Sequence, residues 1–316
     1  MATEEPVPVY LDCDTGIDDV LAIAYLLARP DIRLVGIGTV SGNTDAHTAA
    51  LNTLRVLDLF GAPDVPVASG AHDFLTRRFH GGAPAVHGRD GIGDVGLPQS
   101  GRRLSGQTAV EMLVDLAHRH AGRLRVLAIG PFTNLARALE QDPDLAHLVH
   151  DVTVMGGAFL VDGNITPYAE ANVHNDPEAA AAVLEAPWAV TVVPVDVARA
   201  HRFEQAELTD LAGSTSTAAR TVASMLETYA DFYAGVYGRR LAVLYDPLAA
   251  AVLSGELRIT SDLVGPVAVT TGDGVERGRT SAEPGADVHP SRRRHRVVLA
   301  VEPDFAPVLV RVVHAL

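Results

Sequence analysis

The chain of 316 residues contains no lysine, so all 25 of its basic residues are arginine. That absence removes Schiff-base and pyridoxal chemistry, the Walker A lysine and the protein-kinase lysine together. Cysteine is nearly as scarce. The single Cys13 permits no intramolecular disulfide and no thiolate metal cluster, in keeping with a reducing compartment. No positive partner stands beside it, so it reads as a small packing residue. No window of about twenty apolar residues occurs, and the acidic, proline-bearing first residues lack the pattern of a signal peptide. A cytoplasmic protein with no membrane contact is the expectation. The formal net charge of -14 argues against nucleic acid as a partner. The one basic run, Arg292-Arg293-Arg294-His295-Arg296, reads as a solvated loop ahead of a strand from Val297 to Val301. Internal repeats, low-complexity linkers and composition breaks are also missing, which favours one domain over residues 1–316.

What is present suffices for a large core, since 47% of the residues are hydrophobic. Strand and helix patterns alternate, which predicts an α/β fold, Rossmann-like, with a mostly parallel sheet and helices on both faces. Strands are expected from Val7 to Leu11, Arg33 to Val40, Val65 to Ala68, Leu124 to Ile129, Val152 to Met155 and Val190 to Val195. Helices are expected from Val20 to Leu27, about Thr44 to Phe60, about Gln107 to His120, Glu178 to Glu185 and about Thr215 to Tyr237, with another starting at Tyr245-Asp246-Pro247. The stretch from Ser69 to about Ser105 is rich in Gly, His and Pro and has no period, as in a lid. The last seventy residues read as a strand pair and a closing amphipathic helix.

The first strand passes without a linker into the first helix through Asp12-Cys13-Asp14-Thr15-Gly16-Ile17-Asp18-Asp19. Gly16 is expected to supply backbone freedom, and Asp18 and Asp19 fall where a helix end favours anions. Capping accounts for one or two carboxylates, not four. Four would repel one another without a hard cation such as calcium or magnesium, which takes oxygen ligands.

In an open parallel sheet, ligands bind beyond the carboxyl ends of the strands. The residues expected there are Asp12, Asp14, Asp18 and Asp19, then Ser41-Gly42-Asn43, the carbonyls around Ile129, and Met155 with the loop carrying Asn164, Glu170 and Asn172. Asp246 arrives at a helix start from far down the chain. With hardly a basic residue among them, the set suits a metal and a polyhydroxylated sugar and suits phosphate poorly. Gly36-Ile37-Gly38 with Gly42 has the wrong spacing for a dinucleotide fingerprint and reads as close packing. No Gly-x-Ser-x-Gly elbow is present. Among the histidines, His87 of the proposed lid is the candidate for chemistry, with a solvated loop residue as its alternative.

These segments, together with Gly130-Pro131-Phe132-Thr133-Asn134, Val154-Met155-Gly156-Gly157, Asp176-Pro177-Glu178-Ala179-Ala180 and Tyr245-Asp246-Pro247, resemble the inosine-uridine nucleoside hydrolase family nearly end to end. The resemblance implies a calcium-dependent hydrolase that cleaves ribonucleosides to free base and ribose on a Rossmann-like fold, as a homodimer or homotetramer. It implies Asp14 as calcium ligand and general base, with Asp19, Asp246 and the Ile129 carbonyl as further ligands. It implies Asp18, Asn43, Met155, Asn164, Glu170, Asn172 and Asp246 around the ribose, and Asp12 orienting the metal loop. Family members often carry histidine where Tyr245 stands. A phenol is a weaker acid than imidazolium, which leaves the donor to the base open among Tyr245, His87, Tyr229, Tyr233, Tyr237 and Arg239.

Two rivals stand beside this reading. Asp12-Cys13-Asp14-Thr15 also satisfies the Asp-x-Asp-x-Thr opening of haloacid-dehalogenase-like phosphatases, with Asp12 as nucleophile, although that chemistry normally uses a lysine. The other is a nucleoside- or ribose-binding protein without turnover, to which the substitution at Tyr245 points.

Overall fold

A computed structural model describes residues 5–283 and 294–316. The strands, numbered along the chain, are β1 Val7–Cys13, β2 Ile32–Thr39, β3 Val67–Ser69, β4 Arg125–Ala128, β5 Asp151–Met155, β6 Val190–Val193, β7 Arg202–Phe203, β8 Ala242–Val243, β9 Arg258–Gly265, β10 Val267–Val269, β11 Thr280–Ala282 and β12 His295–Glu302. Eight of them form one sheet in the order β3-β2-β1-β4-β5-β6-β12-β9. Every neighbouring pair is parallel except β12 with β9. The expected α/β architecture with a mostly parallel sheet is therefore what forms.

The strand order places the site. The chain builds outward from β1 through β2 to β3, then returns to lay β4 on the other side of β1. Loops leaving β1 and β4 diverge at that reversal and open a crevice at the carboxyl ends of the strands.

The strands are near-continuous apolar runs because helices cover both faces of the sheet. Alternation sorts their side chains. Val9, Leu11 and Cys13 of β1 pack with the helices Ile17–Leu27, Thr217–Tyr237 and Tyr245–Ser254, whereas Tyr10 packs with Val126, Val154 and the helices Ala109–Arg119 and Thr133–Gln141. Each such side chain contributes about 1.5–3 kcal/mol on burial, so a one-residue slip of β1, which would exchange its faces, is strongly disfavoured.

Several element ends differ from expectation. The strand expected at Val190 to Val195 stops at Val193, because Pro194 has no N–H to give a ladder and instead precedes a short helix, Val195–Ala198. The strand expected from Val65 runs Val67–Ser69. The C-terminal region holds β9, β10, β11 and β12 where only a strand pair was expected, followed by the expected helix, Ala306–His314. His295 and Arg296 of the basic run belong to β12, and Arg296 pairs with Asp262 of β9 at 2.8 Å. Arg292 and Arg293 lie outside the described residues. No helix among the described residues is long and apolar enough to cross a membrane.

Candidate active site

Only Asp14, Thr15 and Gly16 separate β1 from the helix Ile17–Leu27. The left-handed backbone of this turn falls on Thr15, at φ 29°, and Gly16 is extended at φ -91°. Gly16 is thus needed for space and not, as expected, for freedom of φ: a Cβ there would collide with Asn43 Nδ2 and His87 Nδ1. Strain of this kind persists where the surroundings over-determine it. Here the Thr15 hydroxyl is pinned to that of Thr53 at 2.8 Å.

Asp19 folds back over the turn and accepts from the Gly16 amide at 2.6 Å and the Asp14 amide at 3.3 Å. Asn43, just past β2, donates its amide to Asp14 Oδ2 at 2.7 Å, and its Nδ2 is shared between Asp14 Oδ1 and Asp19 Oδ2 at 3.2 Å each. Asp246 enters from the first turn of the helix Tyr245–Ser254. Asp18, Asp19 and Asp246 offer oxygens that all lie within 4.8 Å of one another, and Asp14, Asp18, Asp19 and Asp246 are all buried. Burial first, then the neighbouring carboxylates, raise Asp19 to about 7 and push Asp14 and Asp246 well above the ordinary carboxylate range. Asp18 Oδ1 is buried without a hydrogen-bond partner among the described residues. An all-oxygen donor set with an orphaned carboxylate oxygen fits a hard divalent cation.

Above these acids lies a cavity of about 230 Å³. Asp18, Asn43, Ile129, Asn172 and Asp246 supply its polar lining, and Tyr229, Phe232, Tyr233, Tyr237 and Tyr245 supply an aromatic one. The rings of His87, Tyr229, Tyr233 and Tyr237 follow one another with centroids 5.5, 4.9 and 5.8 Å apart. A flat, apolar partner matches that wall, and a polyhydroxylated one matches the floor.

Residues 9–306 match the model of the inosine-uridine preferring nucleoside hydrolases. The chain belongs to that family. It is 36% identical over 242 residues to uridine nucleosidase 1 of Arabidopsis thaliana, covering 76% of this chain and 71% of that one. It is 32% identical over 319 residues to the inosine-uridine preferring nucleoside hydrolase of Leishmania major, covering 98% of each. Among solved structures, a purine-preferring ribonucleoside hydrolase from Gardnerella vaginalis superposes with a TM-score of 0.91 at 29% identity, covering 98% of each chain. This nucleoside hydrolase is therefore an enzyme of a family whose members, by their names, differ in the base they prefer.

Most residues singled out in the sequence of this nucleoside hydrolase converge. Asp18, Asn43, His87, Ile129, Met155, Asn164, Glu170, Asn172, Tyr245 and Asp246 all line the cavity, with Asp14 and Asp19 buried beneath them. Asn172 Nδ2 donates to the Ile129 carbonyl at 2.8 Å and to that of Met155 at 3.2 Å, which joins the ends of β4 and β5. Glu170 is already committed to the helix Ala171–Asn175, accepting from the amides of Asn172, Val173 and Gly157. Burial nonetheless raises it to about 7. Asn164 is exposed and accepts from the Ala171 amide at 2.9 Å.

His87 is buried at the end of a short helix, Pro84–His87, and is not a solvated loop residue. The Ile17 amide donates to its Nδ1 at 3.0 Å, which requires the Nε2–H tautomer, and burial lowers its basicity. Tyr229 donates to Asp18 Oδ2 at 3.0 Å, and burial pushes Tyr245 up to about 12. Arg239 does not join the site. It is exposed and pairs with Glu204 at 3.0 Å. Asp12 lies on the opposite face of β1, fully buried, where it accepts from Tyr10 at 3.0 Å and Asn134 at 3.0 Å, so it cannot serve as the nucleophile of the phosphatase reading. The expectation of hardly a basic residue missed Arg199, which lines the cavity. No spacing in the sequence marks it, because it closes a short helix, Val195–Ala198, that was not expected.

Proposed function

We propose that this nucleoside hydrolase cleaves the N-glycosidic bond of ribonucleosides to free base and ribose with a calcium ion held by Asp14, Asp19, Asp246 and the Ile129 carbonyl. The convergence of four buried carboxylates from the two ends of the chain beneath a half-polar, half-aromatic cavity carries this reading. Oxygen donors alone, with no thiolate and with His87 Nδ1 already engaged, favour calcium over softer ions. When bound, such an ion supplies charge that keeps the carboxylates ionised, sites for two neighbouring sugar hydroxyls and a water that gives up its proton more readily.

Asp14 takes the proton from the attacking water, held in place by the two Asn43 hydrogen bonds. The sugar passes through an oxocarbenium-like state, and the carboxylates and amide oxygens of Asp18, Asn43, Asn164, Glu170, Asn172 and Asp246, with Met155 packed beside them, hold it and offset its positive charge. His87, as a neutral Nε2–H donor, and Tyr245 face the base. The same reading takes residues 1–316 as one catalytic domain, working in the cytoplasm as a homodimer or homotetramer in nucleoside salvage.

The test is a panel of purine and pyrimidine ribonucleosides assayed for free base with calcium and with EDTA. Base release that calcium restores supports the proposal. Tight nucleoside binding without release would support the binding-protein reading instead.

A further inference from the structure

Arg199 is the one arginine among the described residues that line the cavity, and the nucleoside-hydrolase reading gives it no task. It caps the short helix Val195–Ala198 after β6, so the same strand-end logic that delivers the acids delivers it. Its Nη2 donates to the Gly163 carbonyl at 3.0 Å. Its Nε is sealed from the cavity, and among the described residues no carboxylate pairs with it and nothing accepts from its Nη1. Of the aromatic residues on the cavity wall, Tyr245 is near enough for the Arg199 charge to lower its pKa against the larger upward push of burial.

From this geometry we infer that Arg199 binds the departing base and stabilises the negative charge that develops on it. The inference rests on the nucleoside-hydrolase reading above. The acids of the floor suit the sugar, where positive charge appears, and do nothing for the base. When the C–N bond breaks, its electron pair goes to the base nitrogen and the charge spreads to the ring carbonyl oxygens. Water forms the new C–O bond and loses a proton to Asp14, which returns it to solvent, and the base anion collects a proton from solvent after release. A guanidinium does not give up its proton, so its help is electrostatic, and its planar fork of N–H groups matches a ring carbonyl beside a ring nitrogen. Fixed donors aimed at developing charge are among the strongest catalytic devices available.

A purely structural role is the alternative. Asp196, on the same short helix, accepts from the Phe159 and Leu160 amides at 2.9 and 2.6 Å, while Arg199 holds Gly163, so the pair fastens both ends of one loop. Dependence on the leaving group separates the two roles. Purified wild type, Arg199→Gln, Arg199→Lys and Asp196→Asn would be compared on 5-methyluridine, uridine, 5-fluorouridine and p-nitrophenyl riboside, whose leaving anions are progressively more stable. Arg199→Gln should lose roughly 100-fold in kcat on uridine, the usual order for one such donor. The loss should shrink steadily along the series and be partly recovered in Arg199→Lys, while Asp196→Asn shifts all four substrates alike. An equal loss across the series for Arg199→Gln, or a change in KM alone, would overturn the inference and leave Arg199 as a loop fastener. Failure of the wild type to release base from any nucleoside would instead overturn the parent reading.

Discussion

Stripping divalent cations from the protein should make its stability fall as the pH rises. Asp19 is lifted by burial and by Asp18 from 3.8 to about 7, and Asp14 and Asp246 are pushed up in the same direction. An acid raised in the folded state holds its proton more tightly there than in the unfolded chain. Its contribution is therefore fully present below about 3.8 and is lost as the pH climbs through about 7. For Asp19 the separation of about 3 pH units amounts to about 4 kcal/mol. At about 2 °C of Tm per kcal/mol for a chain of this size, the EDTA-treated protein should melt about 8 °C lower at about pH 7.5 than near pH 4 through this cluster alone. Calcium binding only the folded state at 100 times its Kd would restore about 2.7 kcal/mol, and more near neutrality than in acid, where protons compete with the ion. Thermal melts across this window, with EDTA and with calcium chloride, measure the difference directly. Superimposable curves in the two conditions would refute the claim that these acids hold a cation.

Other substitutions probe the same arrangement from different sides. Asp246→Asn should raise the Tm of the EDTA-treated protein at neutral pH, abolish the response to calcium and cut kcat by roughly 1,000-fold, because one change removes both a repelling charge and a ligand. Gly42→Ala would place a methyl group against Asp14 Oδ2 and Pro131; kcat should fall by roughly 100-fold through displacement of the base, with far-UV circular dichroism unchanged. A 2'-deoxynucleoside leaves polar groups of the floor unpaired, so its kcat/KM should be lower than that of the ribonucleoside by a factor on the order of 10⁴, and equal rates would remove the hydroxyl-binding scheme. His87→Ala leaves the Ile17 amide without its acceptor and should cost about 1–3 kcal/mol in urea unfolding.

How much of this was legible in the sequence depends on whether a residue's task is local. Asp14, Asp18 and Asp19 announce themselves because one turn cannot hold that many carboxylates without a reason, and Asn43, Ile129 and Met155 follow from their places at strand ends. Asp246 could be noted as an acid at a helix start but took its role from the family resemblance, since nothing in the 226 residues between it and Asp19 says which helix start will face the first turn, and the observed approach comes from packing of Tyr245–Ser254 against Ile17–Leu27. Gly16 shows the limit of residue-type reasoning. A glycine in a tight turn suggests a left-handed backbone, yet Thr15 bears it and Gly16 is small because Asn43 and His87 press on it. His87 sits in a stretch without period, and its burial against Ile17 and Tyr229 depends on contacts with residues 70 and 142 positions away.

Arg199 was the hardest residue to find, for a physical reason. A half-buried arginine beside a carbonyl looks in sequence like any surface cation, and its meaning arises only from its place on the cavity wall. Acids in a cluster betray themselves by mutual repulsion, which composition alone reveals. A single cation facing an empty volume creates no such conflict in the text of the chain. The two sides of the cavity thus differ in visibility: the acidic turn of Asp14, Asp18 and Asp19 is written in nearby letters, and the wall proposed to meet the departing base is assembled from Tyr229, Tyr233, Tyr245, His87 and Arg199 by the fold. Preference for one base over another should follow the second side, so variation among relatives in that preference is expected to track these positions while the acidic turn stays the same.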